Sequence, residues 1–262
     1  MTALHKLAIV ARISARHRIS NRGAAIGRLG LYAVMLFVFS RLWALIAEGY
    51  PDAELPPAQV LWYIAITEWI VLSLPWVHDE VQEELRAGDL LYRLTRPIAY
   101  PWAKLAETAG DLLVRLGLLA PAGFVVACAL QGEAGIGIRE AAWLLLLGPL
   151  AALVATTFHL AIGLCAIWIH DCRPIYWVWQ KGMFLLGGLL VPLPFYPDWL
   201  RAIAELSPFA AILYGPGALA LGDAAIDPWW LGLQLVLWQA FALATVALIF
   251  QRALRRIDGG GG

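Results

Sequence analysis

Four ionisable side chains, Glu68, Asp111, Arg115 and His159, lie inside stretches of the chain that are otherwise almost wholly apolar. An ionised group in hydrocarbon costs on the order of 3 kcal/mol or more unless it meets water or a partner, so each of them needs a reason. Asp111 and Arg115 are one helical turn apart on one face, and an ion pair between them is the plainest reason for both. Glu68 has no partner at that spacing. It can join Arg115 or face a lumen, which makes Glu68 and Arg115 the candidates for a lumen or gating site. His159 suits an interhelical hydrogen bond. Glu68, Asp111 and His159 would make an intramembrane acid–base set if they converged. His78, Asp79 and Glu80 form a tight cluster of potential metal ligands, but neighbours on a helix point in different directions, so no metal site is predicted. The sequence has no H-E-x-x-H, no G-x-S-x-G and no cysteine pair at ligand spacing, so no catalytic residue is assigned.

The elements that must hold these groups are long apolar helices. Of the 262 residues 61% are hydrophobic and 15% charged, and the mean hydropathy is +0.71, more apolar surface than one soluble core of this size would hide. A bilayer core of about 30 Å takes roughly 20 helical residues, and within it every backbone polar group must be satisfied internally. Six stretches meet that length: about 24–47, 58–77, 102–130, 141–169, a fifth reaching Val191, and 229–250. The fold class predicted is all-α and polytopic, one transmembrane domain over 1–258 followed by a flexible glycine tail at 259–262.

Orientation follows from the bases. Among the 19 lysines and arginines only Arg139 and Arg201 fall in loops on one side of the predicted spans, while Arg41 and Arg115 lie within spans. The others collect on the opposite side, which the positive-inside rule assigns to the cytoplasm together with both termini. The protein is therefore expected to be integral to the cell (inner) membrane. The basic segment before the first span ends without a small-residue cleavage pattern, so that span is read as retained rather than as a signal peptide. Trp62, Trp76, Trp102, Trp143, Trp229 and Trp230 lie near span ends, where an amphipathic ring is favoured. Cys128, Cys165 and Cys172 are an odd set in or beside apolar spans and are read as free thiols. The formal net charge of zero conceals the one-sided bias, and no nucleic-acid partner is expected.

The longest polar segment on the basic side runs from Glu80 to Pro101. Asp79 is placed to cap a surface helix whose first turns hold Glu80, Glu83 and Glu84 and whose later turns hold Arg86, Arg93 and Arg96, in accord with the helix dipole. Gly88 can break it, and Pro97 stops it. Leu90, Leu91 and Leu94 add apolar area beside the arginines. Glu83, Glu84, Arg86, Leu90, Leu91, Arg93, Leu94 and Arg96 are therefore the predicted docking surface for a partner. Between 192 and 228 six prolines punctuate pieces too short to span, which points to re-entrant or interfacial helices.

Two of these segments carry a resemblance. RAGDLLYRLTRPI, with Gly88, Leu90, Leu91, Leu94, Arg96 and Pro97, and the 187–222 stretch, with Pro192, Tyr196, Pro197, Trp199, Leu200, Pro208 and Phe209, are similar to permease subunits of type-2 ATP-binding-cassette (ABC) exporters. The resemblance extends over essentially the whole chain. It implies a six-span subunit with a cytoplasmic or interfacial N-terminal helix and a coupling helix between spans 2 and 3. It also implies pairing with a second permease, identical or homologous, and docking of cytosolic ATPase subunits that hold ATP and Mg. The sequence itself has no G-x-x-x-x-G-K-[ST] loop, so this chain carries no cofactor and any ATP-derived energy must come from a partner. The expected function is ATP-driven export by alternating access. The alternatives are a polytopic membrane enzyme built on the acid–base set and an ion-coupled carrier working without an ATPase.

Overall fold

A computed structural model describes residues 3–20, 22–49, 57–89, 98–132, 135–189, 191–221 and 226–259. Its regular elements are helical. They are α1 (Ala3–Ser20), α2 (Arg22–Gly49), α3 (Pro57–Ser73), α4 (Val77–Arg86), α5 (Tyr100–Gln131), α6 (Ile138–Leu164), α7 (Ala166–Ile169), α8 (Arg173–Leu186), α9 (Asp198–Glu205), α10 (Gly215–Ala220) and α11 (Pro228–Gly259). A 3-10 turn at Leu193–Phe195 precedes α9, and a π-helical turn at Ala210–Tyr214 leads into α10.

Five helical segments are long and apolar enough to cross a bilayer, six if the bent pair Asp198–Glu205 and Ala210–Ala220 is counted as one. In the most apolar windows of Gln59–Arg86 and Ile138–Ile169, 78% and 72% of residues are buried, against 11% in Gly23–Ile46 and 22% in Pro228–Arg255. The α3–α4 rod and α6 are thus the centre of the bundle, and α2 and α11 flank it with broad apolar faces such as Val34, Phe37, Val236 and Leu237. Apolar residues all round a helix are what a central position requires.

Two expectations are corrected. The second span does not end at Val77 before a separate surface helix capped by Asp79. The chain breaks at 74–76, where Pro75 lacks an amide hydrogen, and resumes at Val77 with Trp76 in the capping position and no side-chain cap. α4 then continues the same span to Arg86 because Val77 and Val81 pack with Leu160, Leu164, Val246 and Phe250 in a second apolar cluster. Its end is where sequence placed it: Gly88 adopts φ +78°, a conformation that favours glycine. The fifth crossing also falls short. α8 has 14 residues, about 21 Å of helix, and stops at Leu186. Gly187 closes its last turn onto the Met183 carbonyl, and Gly188 turns with φ +67° so that its own carbonyl accepts the Tyr63 hydroxyl at 2.5 Å.

After α8 the chain turns back into the bundle. α9 is bent by 83° from the Ala210–Ala220 segment, and that segment is buried throughout against α3, α6 and α11. Small residues make room for it, since a Cβ on Gly215 would overlap Leu231 and one on Gly217 would overlap Tyr63. Close backbone approach at glycine is a common way for membrane helices to pack without a hydrophobic driving force.

α1 lies along α5, and the closest approach puts the Ala11 carbonyl where a Cβ on Gly110 would be. The variant Gly110→Val is expected to weaken this packing by about 1–3 kcal/mol. Limited trypsin digestion in membranes should then cut faster at Arg12 and Arg16 while the spans stay intact; equal rates in variant and parent would contradict the packing.

Candidate functional site

A cavity of about 690 Å³ lies between α2, the break joining α3 to α4, and α8. Glu68 reaches it from α3, His159 from α6, and Tyr176 and Gln180 from α8; Met35, Phe39, Met183 and Phe184 supply apolar walls. Glu68 is 2% exposed and, among the described residues, makes no hydrogen bond or ion pair. Arg115 does not reach it. Its Nε and Nη2 donate to the two carboxylate oxygens of Asp111 at 2.9 and 2.6 Å, and its Nη1 donates to the Leu74 carbonyl at 3.1 Å. The pair expected from spacing is therefore present, and it also satisfies a carbonyl that the Pro75 break leaves without a helical partner. Removing one member of such a buried pair costs about 3–5 kcal/mol.

The acid–base set is not assembled. Asp111 gives both oxygens to Arg115 and lines a different cavity, of about 490 Å³, while Glu68 and His159 share the first one. His159 instead belongs to an aromatic group. Its ring stands edge-on to His78 and Tyr176 at 5.7 and 5.2 Å, and His78 stacks face to face on Tyr176 at 3.6 Å and 14°. The chain gives no local hint of this stack, because His78 and Tyr176 come from distant segments. His78 stacks on Tyr176 and lies 3.7 Å from the Asp79 carboxylate, Asp79 also reaches Arg173 at 3.3 Å, and Glu80 turns to Lys104 at 2.8 Å. Among the described residues no group of three potential ligands is placed to hold a metal.

At the end that carries the basic loops, α4 is fastened to two neighbours. Lys104, buried at the start of α5, donates to Glu80 and, at 3.0 Å, to Glu84, while the Tyr100 hydroxyl donates to Glu84 at 2.7 Å. On the other side the Cys172 amide donates to Gln82 Oε1 at 2.6 Å, and Arg86 Nη2 donates to the His170 carbonyl at 3.0 Å. His170 holds a left-handed conformation, φ 61°, which makes the tight turn into α8. Beneath these contacts Gly163 lets α4 rest on the backbone of α6, since a Cβ there would meet the His78 Cα. Of the predicted docking residues, Glu84 is turned inward, Glu83 is exposed, and Arg86 is exposed while holding the turn. Leu90, Leu91, Arg93, Leu94 and Arg96 lie outside the described residues. Sequence alone did not single out Lys104, Gln82 or Cys172; the one available signal was a lysine at the mouth of an apolar span facing a Glu-rich turn.

The fold defines a polytopic α-helical membrane protein with a polar-spotted cavity among its spans and a braced helix end beneath it. The chain belongs to the ABC-2 transporter family: a family model described as ABC-2 family transporter protein matches residues 59–261. It is on that footing a transport permease of the membrane rather than an enzyme. Comparison with curated proteins found no match.

Cys172 reports on the brace. It is buried against His78, and burial, with Asp79 adding to the effect, pushes its thiol up to about 11. A raised thiol pKa leaves about one molecule in a thousand as thiolate at pH 8, so alkylation should be slow there and accelerate only as pH approaches that value. In a background lacking Cys128 and Cys165, Gln82→Ala should raise the maleimide labelling rate of Cys172 roughly tenfold at pH 8, as expected when a buried amide loses its acceptor. An unchanged rate would contradict the brace.

Proposed function

We propose that this chain is the membrane subunit of an ATP-driven exporter and that the α2–α3–α8 cavity is part of its substrate path. Family membership supports the transport class. The observation that carries the mechanism is the continuous packing from the brace to the cavity. α4 is held by Lys104 and Gln82 at its outer turns, and its first turn presents His78 to Tyr176, whose ring is also a wall of the cavity.

In this reading two cytosolic ATPase subunits, which hold ATP and Mg, dock at the exposed end of α4 and the segment after it. Glu83 and Arg86 contribute from α4, and Leu90, Leu91, Arg93, Leu94 and Arg96 from the segment that follows. ATP binding closes the partners, moves α4 together with the start of α5 and the 170–173 turn, and shifts Tyr176 relative to Glu68. Interfaces of this kind switch between discrete packings rather than deform smoothly. A second permease, identical or homologous, completes the path against the apolar faces of α2 and α8. Both termini lie in the cytoplasm of a cell whose inner membrane holds the complex, and substrate leaves the cytoplasm or inner leaflet.

An ion-coupled carrier would also use an unpaired Glu68. Net transport by the isolated subunit in vesicles lacking ATP would favour it over the present reading. The direct test of docking is Arg93→Glu with Arg96→Glu: copurification of the ATPase should fall at least about tenfold, as charge reversal at a docking patch implies, while the spans remain folded by circular dichroism. Undiminished copurification would contradict the docking assignment.

A further inference from the structure

Glu68 is a buried carboxylate facing a cavity with no cation paired to it among the described residues. In hydrocarbon such a group stays ionised only where water or a positive partner reaches it. Arg28, near the start of α2, also lines the cavity, and the ion pairs of this region join Arg115 to Asp111 and Arg173 to Asp79. What surrounds the carboxylate is soft and aromatic. Phe39, Trp76, Tyr176 and Phe184 present rings, and Met35 and Met183 present polarisable thioethers that adapt to varied shapes.

A second observation lies next to it. The cavity of about 490 Å³ meets the first at Pro75, which lines both. Carboxylates dominate its walls: Glu80, Glu83, Glu84, Asp89, Glu107 and Asp111 line it, with Lys104 and His17 as the basic groups. Clefts lined by one sign of charge between low-dielectric walls concentrate ions of the opposite sign and repel those of like sign. An acid-lined cavity beside an aromatic one with a single unpaired carboxylate favours cations at both stages.

We infer that the substrate class is the lipophilic cation, an apolar, aromatic-bearing molecule with one positive charge, held in the α2–α3–α8 cavity with its charge against Glu68 and its rings against Phe39, Tyr176 and Phe184. This rests on the reading of that cavity as the substrate path. Recognition then combines Coulomb attraction in a water-poor site with cation–π contact, and both depend on the sign of the ligand rather than on its shape. An anion of the same shape is refused.

Tetraphenylphosphonium and tetraphenylborate are nearly the same size and shape and differ in sign, so they separate charge recognition from greasiness. The permease, purified with its ATPase and placed in nanodiscs of uncharged lipid, should bind radiolabelled tetraphenylphosphonium saturably, and tetraphenylborate should not displace it. Glu68→Gln should weaken that binding at least about tenfold, and Glu68→Asp should restore part of it. Equal binding of the two ions to the unmodified protein, or undiminished binding by a folded Glu68→Gln variant, would overturn the assignment. ATPase recovery is read on the same preparations. Recovery of active ATPase without charge-selective binding overturns the cation assignment alone, whereas selective binding with no ATPase recovered overturns the ATP-driven reading alone.

Discussion

The arrangement depends on how one interruption in a central span is satisfied. Pro75 cannot donate, and the turn around it leaves the Leu74 carbonyl buried without a helical amide. In hydrocarbon an orphan of this kind costs several kcal/mol. Arg115 meets it, and Asp111 in turn neutralises Arg115 through a two-point contact. A break that would otherwise be unstable thus becomes a fixed joint, with a packed core on one side and a braced helix end on the other. The joint also forms the wall common to the two cavities, so the pair of charges that holds it lies outside the α2–α3–α8 cavity yet supports its wall.

Around that joint the helices approach closely wherever a side chain is missing. Gly163 seats α4 on α6, Gly110 seats α1 against α5, and Gly215 and Gly217 admit the Ala210–Ala220 segment between Leu231 and Tyr63. Between these contacts the larger side chains are left to line space rather than fill it. The aromatic group of His78, His159 and Tyr176 is where the close-packed and the open parts meet. A displacement of α4 cannot be absorbed by flexible side chains at that point, because stacked rings in contact move together or separate.

Much of the architecture was legible because it depends on local pattern. Length and hydropathy place α2, α5, α6 and the start of α11 within a few residues, four-residue spacing gives the Asp111–Arg115 pair, and Gly88 marks the end of α4. Glu68 was singled out from its position alone, and it does face a cavity. What sequence could not supply were contacts between distant segments. Polar residues from 79 onward looked like a solvated helix, yet Val77 and Val81 bury α4 against α6, so a span boundary set by composition fell too early. The acidic residues of that turn looked exposed, whereas Glu84 is taken up by Lys104 and Tyr100 from the next helix. The fifth apolar stretch reads as a longer helix than α8 because its hydropathy continues past Leu186 while the backbone turns at Gly188.

The central claim is that α4 and the cavity wall move as one when nucleotide binds the partner subunits. Spin labels at Ala87, directly after α4, and Ile26 on α2, both exposed, allow the separation to be measured by pulsed dipolar spectroscopy in the assembled complex. The account predicts a shift of several ångströms, on the scale of known helix shifts at switching interfaces, between the nucleotide-free and ATP-bound states, abolished when the His78–Tyr176 stack is removed by Tyr176→Leu. A distance that stays fixed while the ATPase closes, or a shift that persists without the stack, would contradict it.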